Sequence, residues 1–211
     1  MQSFLTLTDE ASKRFQAYRD APSQETQEAL GEVSIKAERL FDLSQVAPAN
    51  RAQVADRTFY LLWEVIARQR LPKLADIPDM PNDQAGDDQA EPPSRWRLPR
   101  TEITIGRVTE GPHAGEYQFN AATVAHVEDF YNRVRELPYL RAMGIPNAAR
   151  INELITGWMI PVAWVESLPD WANASVGGLV LWKWVALMLL ATLMFLIVVM
   201  TYRWGRRKEF D

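Results

Sequence analysis

Two histidines, His113 and His126, are the imidazoles available to this chain, and no cysteine accompanies them. A hydrolytic triad or a dinuclear metal site needs an imidazole arranged with a carboxylate or a hydroxyl. His113 falls in Glu110-Gly-Pro-His-Ala-Gly, a run of turn chemistry, and His126 points off the apolar stripe of Val124 and Val127. Both read as surface residues. Without thiols there is no thiolate nucleophile, disulfide or thiolate zinc site. Glu128 and Asp129 are adjacent, and neighbours on a helix face different ways, so they make no acid–base pair. Asp83-Gln-Ala-Gly-Asp-Asp gathers carboxylates but lacks the ligand alternation and terminal glutamate of a calcium loop. No phosphate loop, Gly-x-Ser-x-Gly or His-Glu-x-x-His pattern occurs. The residues predict no catalytic site, no metal and no cofactor.

Aromatic and basic residues bracketing an apolar run are the more informative constellation. The apolar run extends from Trp184 to Tyr202, and Leu179 to Trp182 lengthen it. A helix over residues 179–202 is long enough to cross a hydrocarbon core of about 30 Å with some tilt. Trp171, Trp182 and Trp184 mark the incoming edge, and Tyr202 and Trp204 the outgoing one, as aromatics at a headgroup boundary do. Lys183 is the one charge inside the run. It lies within a turn of the start, where its stem lifts the ammonium towards the headgroups; an ion-pathway role would want it near the midplane.

Arg203, Arg206, Arg207 and Lys208 follow the run, whereas Glu166 and Asp170 precede it. The positive-inside bias places the tail, residues 203–211, in the cytoplasm and the large N-terminal part outside. Export of that part calls for a leader, and Met1-Gln-Ser-Phe-Leu-Thr-Leu-Thr-Asp-Glu has neither a basic n-region nor a long apolar core. A leader outside these 211 residues is the expectation.

The whole chain carries a net charge of −4. Setting aside Lys183 and the tail leaves 18 basic and 25 acidic residues, a net of −7, ahead of the membrane run. An acidic headpiece argues against nucleic acid, since phosphate binding needs concentrated Lys and Arg.

Three helices are predicted over residues 1–71. Phe4, Leu7, Ala11, Phe15 and Tyr18 recur at steps of three and four, giving one apolar stripe. Ala21-Pro22 breaks it and Ser23 is placed to cap a second helix from Gln24, with Leu30, Val33, Ala37, Leu40 and Phe41 on one side. A third helix from about Arg51 to Gln69 aligns Val54, Thr58, Leu61, Leu62 and Val65. Short connections make this a small antiparallel bundle. Residues 72–95, rich in proline and aspartate, cannot bury enough apolar surface to offset their ordering entropy and read as a linker.

A second subdomain is expected over residues 96–156. Ile103, Ile105 and Val108 alternate, Gly111 to Gly115 supply a turn, and Glu116-Tyr-Gln-Phe resumes the alternation, so a β-hairpin follows. Asn120 then caps a helix bearing Val124, Val127, Tyr131 and Val134, which stops before Pro138. Residues 157–178 hold Trp158, Trp164 and Trp171 among prolines. This connector either lies along the membrane surface or packs under the headpiece. The fold class is thus mainly α with a small β-hairpin (α+β), extracytoplasmic, plus one C-terminal transmembrane helix.

Several blocks resemble a known family. Trp96-Arg-Leu-Pro-Arg-Thr-Glu-Ile-Thr-Ile-Gly-Arg-Val, Glu110-Gly-Pro-His-Ala-Gly-Glu-Tyr-Gln-Phe-Asn-Ala-Ala-Thr-Val, Phe130-Tyr131 and Leu137-Pro-Tyr139 are similar to the N-terminal region of long bacterial small-conductance mechanosensitive channels. So are Leu40-Phe-Asp-Leu-Ser44, Leu71-Pro72 with Ile77-Pro-Asp79, and Trp158-Met-Ile-Pro with Trp164-Val-Glu-Ser-Leu-Pro-Asp-Trp171. The likeness covers most of residues 1–202. In that family an extracytoplasmic domain precedes the membrane helices and pore. The resemblance implies an envelope or sensory portion without pore or vestibule, in a bacterial inner membrane. Its expected partners are the lipid bilayer, other membrane subunits or the channel portion, and further copies of itself. The competing reading is a single-pass anchored module that binds a partner protein without conduction; an anchored hydrolase is weakest for want of catalytic groups.

Overall fold

The computed structural model describes residues 1–73, 77, 94–110, 114–155, 164–165, 167–169, 171–172, 175–176 and 179–208. The predicted linker at 72–95 lies mostly outside them, as do His113 and Trp158. Two compact units divide the chain, Met1–Met159 and Ile160–Asp211.

In the first unit, helix α1 (Gln2–Asp20) buries Phe4, Leu7, Ala11, Phe15 and Tyr18, the stripe its spacing announces. Helix α2 (Gln24–Glu38) starts at Ser23 in a reciprocal cap: the Ser23 hydroxyl accepts from the Thr26 amide at 3.2 Å, and Thr26 Oγ1 accepts from the Ser23 amide at 3.0 Å. It ends before Leu40 and Phe41, which the periodicity had assigned to it. The reason is a sheet edge. Asp42 N–H donates to the Phe119 carbonyl and Phe119 N–H donates to the Leu40 carbonyl, both at 2.8 Å, so this segment satisfies the open side of a strand.

Helix α3 (Arg51–Ala67) departs further from expectation. Its predicted single stripe becomes burial on every face from Thr58 through Arg68, and Val54 is only half-buried. Helix α2 packs on it from one side, and α4 (Ala121–Val134) and α5 (Ala148–Leu154) cover the rest. A helix enclosed by neighbours has no solvent face to keep polar.

The expected hairpin is one half of a three-stranded antiparallel sheet: β1 (Arg95–Arg97), β2 (Thr104–Arg107) and β3 (Tyr117–Phe119), in that order. Strand β1 begins where a linker was expected, because three residues with two arginines show no apolar alternation. In register, Trp96 faces Ile105 and Ile105 faces Phe119, placing one row towards the core. Phe119 meets Phe4 edge-on at 5.3 Å, and Phe4 meets Phe59 at 5.4 Å, so the sheet shares its core with α1 and α3. Asn120 caps α4 as expected, its Oδ1 accepting from the Thr123 amide at 2.9 Å. Helix α5 was unforeseen; seven residues carry too little periodicity to announce it.

The second unit holds a two-stranded antiparallel pair, β4 (Ser175–Val176) and β5 (Leu179–Val180), and then α6 (Leu181–Lys208). The architecture is mostly helical, with a small sheet and one long apolar helix near the C-terminus.

Candidate functional site

Leu181–Arg203 of α6, 23 residues, is the one stretch among the described residues long and apolar enough to cross a membrane. At 1.5 Å rise per residue it is about 35 Å long, against a hydrocarbon core of about 30 Å. None of it is buried within the molecule, and Met188, Leu189, Phe195 and Met200 are each more than 60% exposed. A soluble helix keeps one face polar, and this one has no such face.

The span starts two residues later than its hydropathy predicts. Leu179 and Val180 pair back onto Ser175 and Val176, so their backbone groups serve a strand instead of the first helical turn. Past the apolar run the helix continues through Trp204, Arg206 and Arg207 to Lys208, so the basic residues expected as a tail extend the same helix. Trp182 donates its backbone N–H to the Ala172 carbonyl at 3.0 Å, and the Lys183 ammonium lies 6.0 Å from the Trp182 ring centroid. Trp184 is 38% exposed, Tyr202 60%, Trp164 70% and Trp171 64%. Arg203 is exposed as well.

In the first unit, the polar centre that sequence reasoning missed lies inside α3. Glu64 is fully buried and Arg68 is 6% exposed, one turn apart, with Glu64 Oε2 accepting from Arg68 Nη1 at 2.5 Å. The same oxygen accepts from the Tyr139 hydroxyl at 2.8 Å, and Oε1 accepts from the Ala148 amide at 2.6 Å. This carboxylate therefore caps α5, whose preceding residue Asn147 sits at φ 57° without a side-chain cap. The guanidinium stacks 3.9 Å from the Tyr139 ring centroid, and its Nε donates to the Leu137 carbonyl at 3.0 Å. The amides of Leu140 and Arg141 donate to the Ala67 carbonyl at 2.9 and 3.1 Å. A buried charge pair thus grips the segment between α4 and α5. Its sequence signal was Glu64-x-x-x-Arg68 after Tyr60-Leu-Leu-Trp, two charges a helical turn apart with only Val-Ile-Ala between them.

A second node lies one helical face along. Asp56 accepts from Ser34 Oγ of α2 and from Asn152 Nδ2 of α5, each at 2.6 Å. Near it, burial and the Asp56 charge push the Tyr60 phenol well above its usual range. His126 is exposed, its Nδ1 3.3 Å from Asp129 Oδ2 on the same helix. No cluster of three metal-ligating side chains occurs among the described residues.

Comparison with protein-family models, with curated proteins and with solved structures returns no match.

Proposed function

We propose that this chain is the membrane-anchored envelope portion of a mechanosensitive-channel-like protein, with its headpiece outside the bacterial inner membrane and its C-terminus in the cytoplasm. The observation carrying the anchor is the apolar helix Leu181–Arg203, no residue of which is buried within the molecule. Sidedness is supported by the basic residues Arg203, Arg206, Arg207 and Lys208 at one end only. The channel assignment is supported by the sequence blocks quoted above. Physically, a span with interfacial aromatics responds to bilayer thickness through tilt, and a two-state response follows wherever the states differ in lipid contact.

Reporter fusions test the orientation. Alkaline phosphatase joined at residue 90 is expected to be active, and a fluorescent protein after Asp211 is expected to shine from the cytoplasmic side. The reverse pattern overturns the topology. For the channel reading, patch recordings on membranes carrying the native gene product are expected to show a shifted tension threshold when codons 1–155 are deleted. Unchanged currents, or no tension-gated current at all, favour the anchored binding module instead. A cleft lined by arginines in the first unit is the specific observation on that side.

A further inference from the structure

The C-terminal ends of α3 and α4 and the β1–β2 turn enclose a cleft of about 480 Å³ in the first unit. Its floor is apolar, with Val65, Ile103 and Phe130 contributing, and Arg97, Arg100 and Arg133 stand around its mouth. One carboxylate faces these three guanidiniums: Glu102, at 3.5 Å from Arg133 Nη1, both side chains about 60% exposed. Arg97 spends its Nε on the Thr101 carbonyl at 2.5 Å, and Arg100, exposed at φ 63°, has no counter-charge among the described residues. A left-handed arginine is a costly way to build a turn that glycine would suit. Immediately beyond Arg133 on the chain, the segment gripped by Glu64 and Arg68 presents Leu137 and Leu140, 52% and 54% exposed. Arg141 follows Leu140, and Arg135 lies 3.9 Å from the exposed Glu136 carboxylate, which leaves Arg141 as the uncompensated charge of this segment among the described residues.

From this juxtaposition we infer that the arginine-rimmed cleft and the leucine-tipped segment form a docking surface for anionic phospholipid. The cleft takes the headgroup phosphate, and Leu137 and Leu140 enter the acyl boundary. Charge complementarity supports this occupant, since a concentration of guanidiniums on an otherwise acidic headpiece selects negative groups. The balance of apolar area supports it too. Two leucines are far less than a stable protein dimer buries, yet exposed leucines followed by an arginine, as in Leu137-Pro-Tyr-Leu-Arg141, suit a shallow interfacial contact. A span in the same chain would tether the headpiece to a bilayer, so that weak individual contacts act at raised effective concentration. The inference rests on the bilayer-anchored reading for that last argument.

The absence of cysteine supplies a clean probe. Leu140→Cys, labelled with an environment-sensitive dye, is placed in nanodiscs of phosphatidylcholine alone or of phosphatidylcholine and phosphatidylglycerol in equal parts, using the full chain. The expected result is a blue-shifted, brighter emission in the anionic discs. Each of Arg97→Gln and Arg133→Gln lowers this headgroup-dependent signal about five-fold, and lysine at the same positions restores most of it. Arg100→Gly, which suits the local backbone, does the same as the glutamines without disturbing the turn. Equal emission in both lipids, or emission indifferent to the arginines, overturns the docking. A shift produced in neutral discs by inorganic phosphate also overturns it, by assigning the cleft to a soluble anion. A chain that does not enter nanodiscs at all removes the anchor and, with it, the docking.

Discussion

Burying Glu64 and Arg68 removes two charges from water, and each is held only because the other, the Tyr139 hydroxyl and several backbone groups replace the lost hydration. Glu64→Gln leaves the guanidinium without a counter-charge and is expected to cost about 3–5 kcal/mol, read as a lowered unfolding midpoint by circular dichroism. Replacing both, as Glu64→Leu with Arg68→Met, is expected to recover much of that loss. A single-variant cost no larger than that of a surface pair refutes this account. Burial also raises the Tyr18, Tyr60 and Tyr131 phenols. A raised folded value favours the neutral form, so this stability is complete below about pH 10 and lost as pH rises beyond it. Tyr60→Phe is expected to unfold less at high pH than the parent chain, in an alkaline titration followed by tryptophan emission.

Helix starts at Ser23 and Asn120 were legible because a hydroxyl or amide oxygen before an apolar stripe has one physical use, capping the free amides. Ser23→Ala and Asn120→Ala are each expected to cost about 1 kcal/mol, additively, since they cap separate helices. Thermal midpoints of the two single variants and the double variant check this. The α1 stripe and the Ile103–Ile105 alternation were equally plain. Strand β1, helix α5 and the 40–42 sheet edge were not, because their backbones are satisfied by partners far along the chain: Ile105 opposite Trp96, Glu64 above Ala148, Phe119 beside Phe41. For the same reason α3 looked one-sided. A period of 3.6 reports one buried face, and full enclosure is decided by what packs on the others. The arginines of the cleft were visible as letters, but only folding brings Arg97 and Arg100 to Arg133.

At the scale of the molecule the span was the strongest sequence signal, since a long apolar run needs no tertiary partner to be recognised. Its start was misjudged by two residues because hydropathy cannot distinguish the Leu179–Val180 strand from the first helical turn. Leu193→Arg, near the middle of the span, is expected to cost about 2.5–3.5 kcal/mol in insertion and to shift the chain from the carbonate-resistant membrane fraction towards the extract. Retention equal to that of the parent chain sinks the anchoring reading.

No residue separates the end of β5 at Val180 from the start of α6 at Leu181. The β4–β5 pair therefore runs straight into its helix, and the Trp182 amide, donating to the Ala172 carbonyl at 3.0 Å, ties the first helical turn to the chain ahead of the pair. A change of tilt in the rod is thus felt first by the paired strands at its head, with no intervening loop residue between Val180 and Leu181.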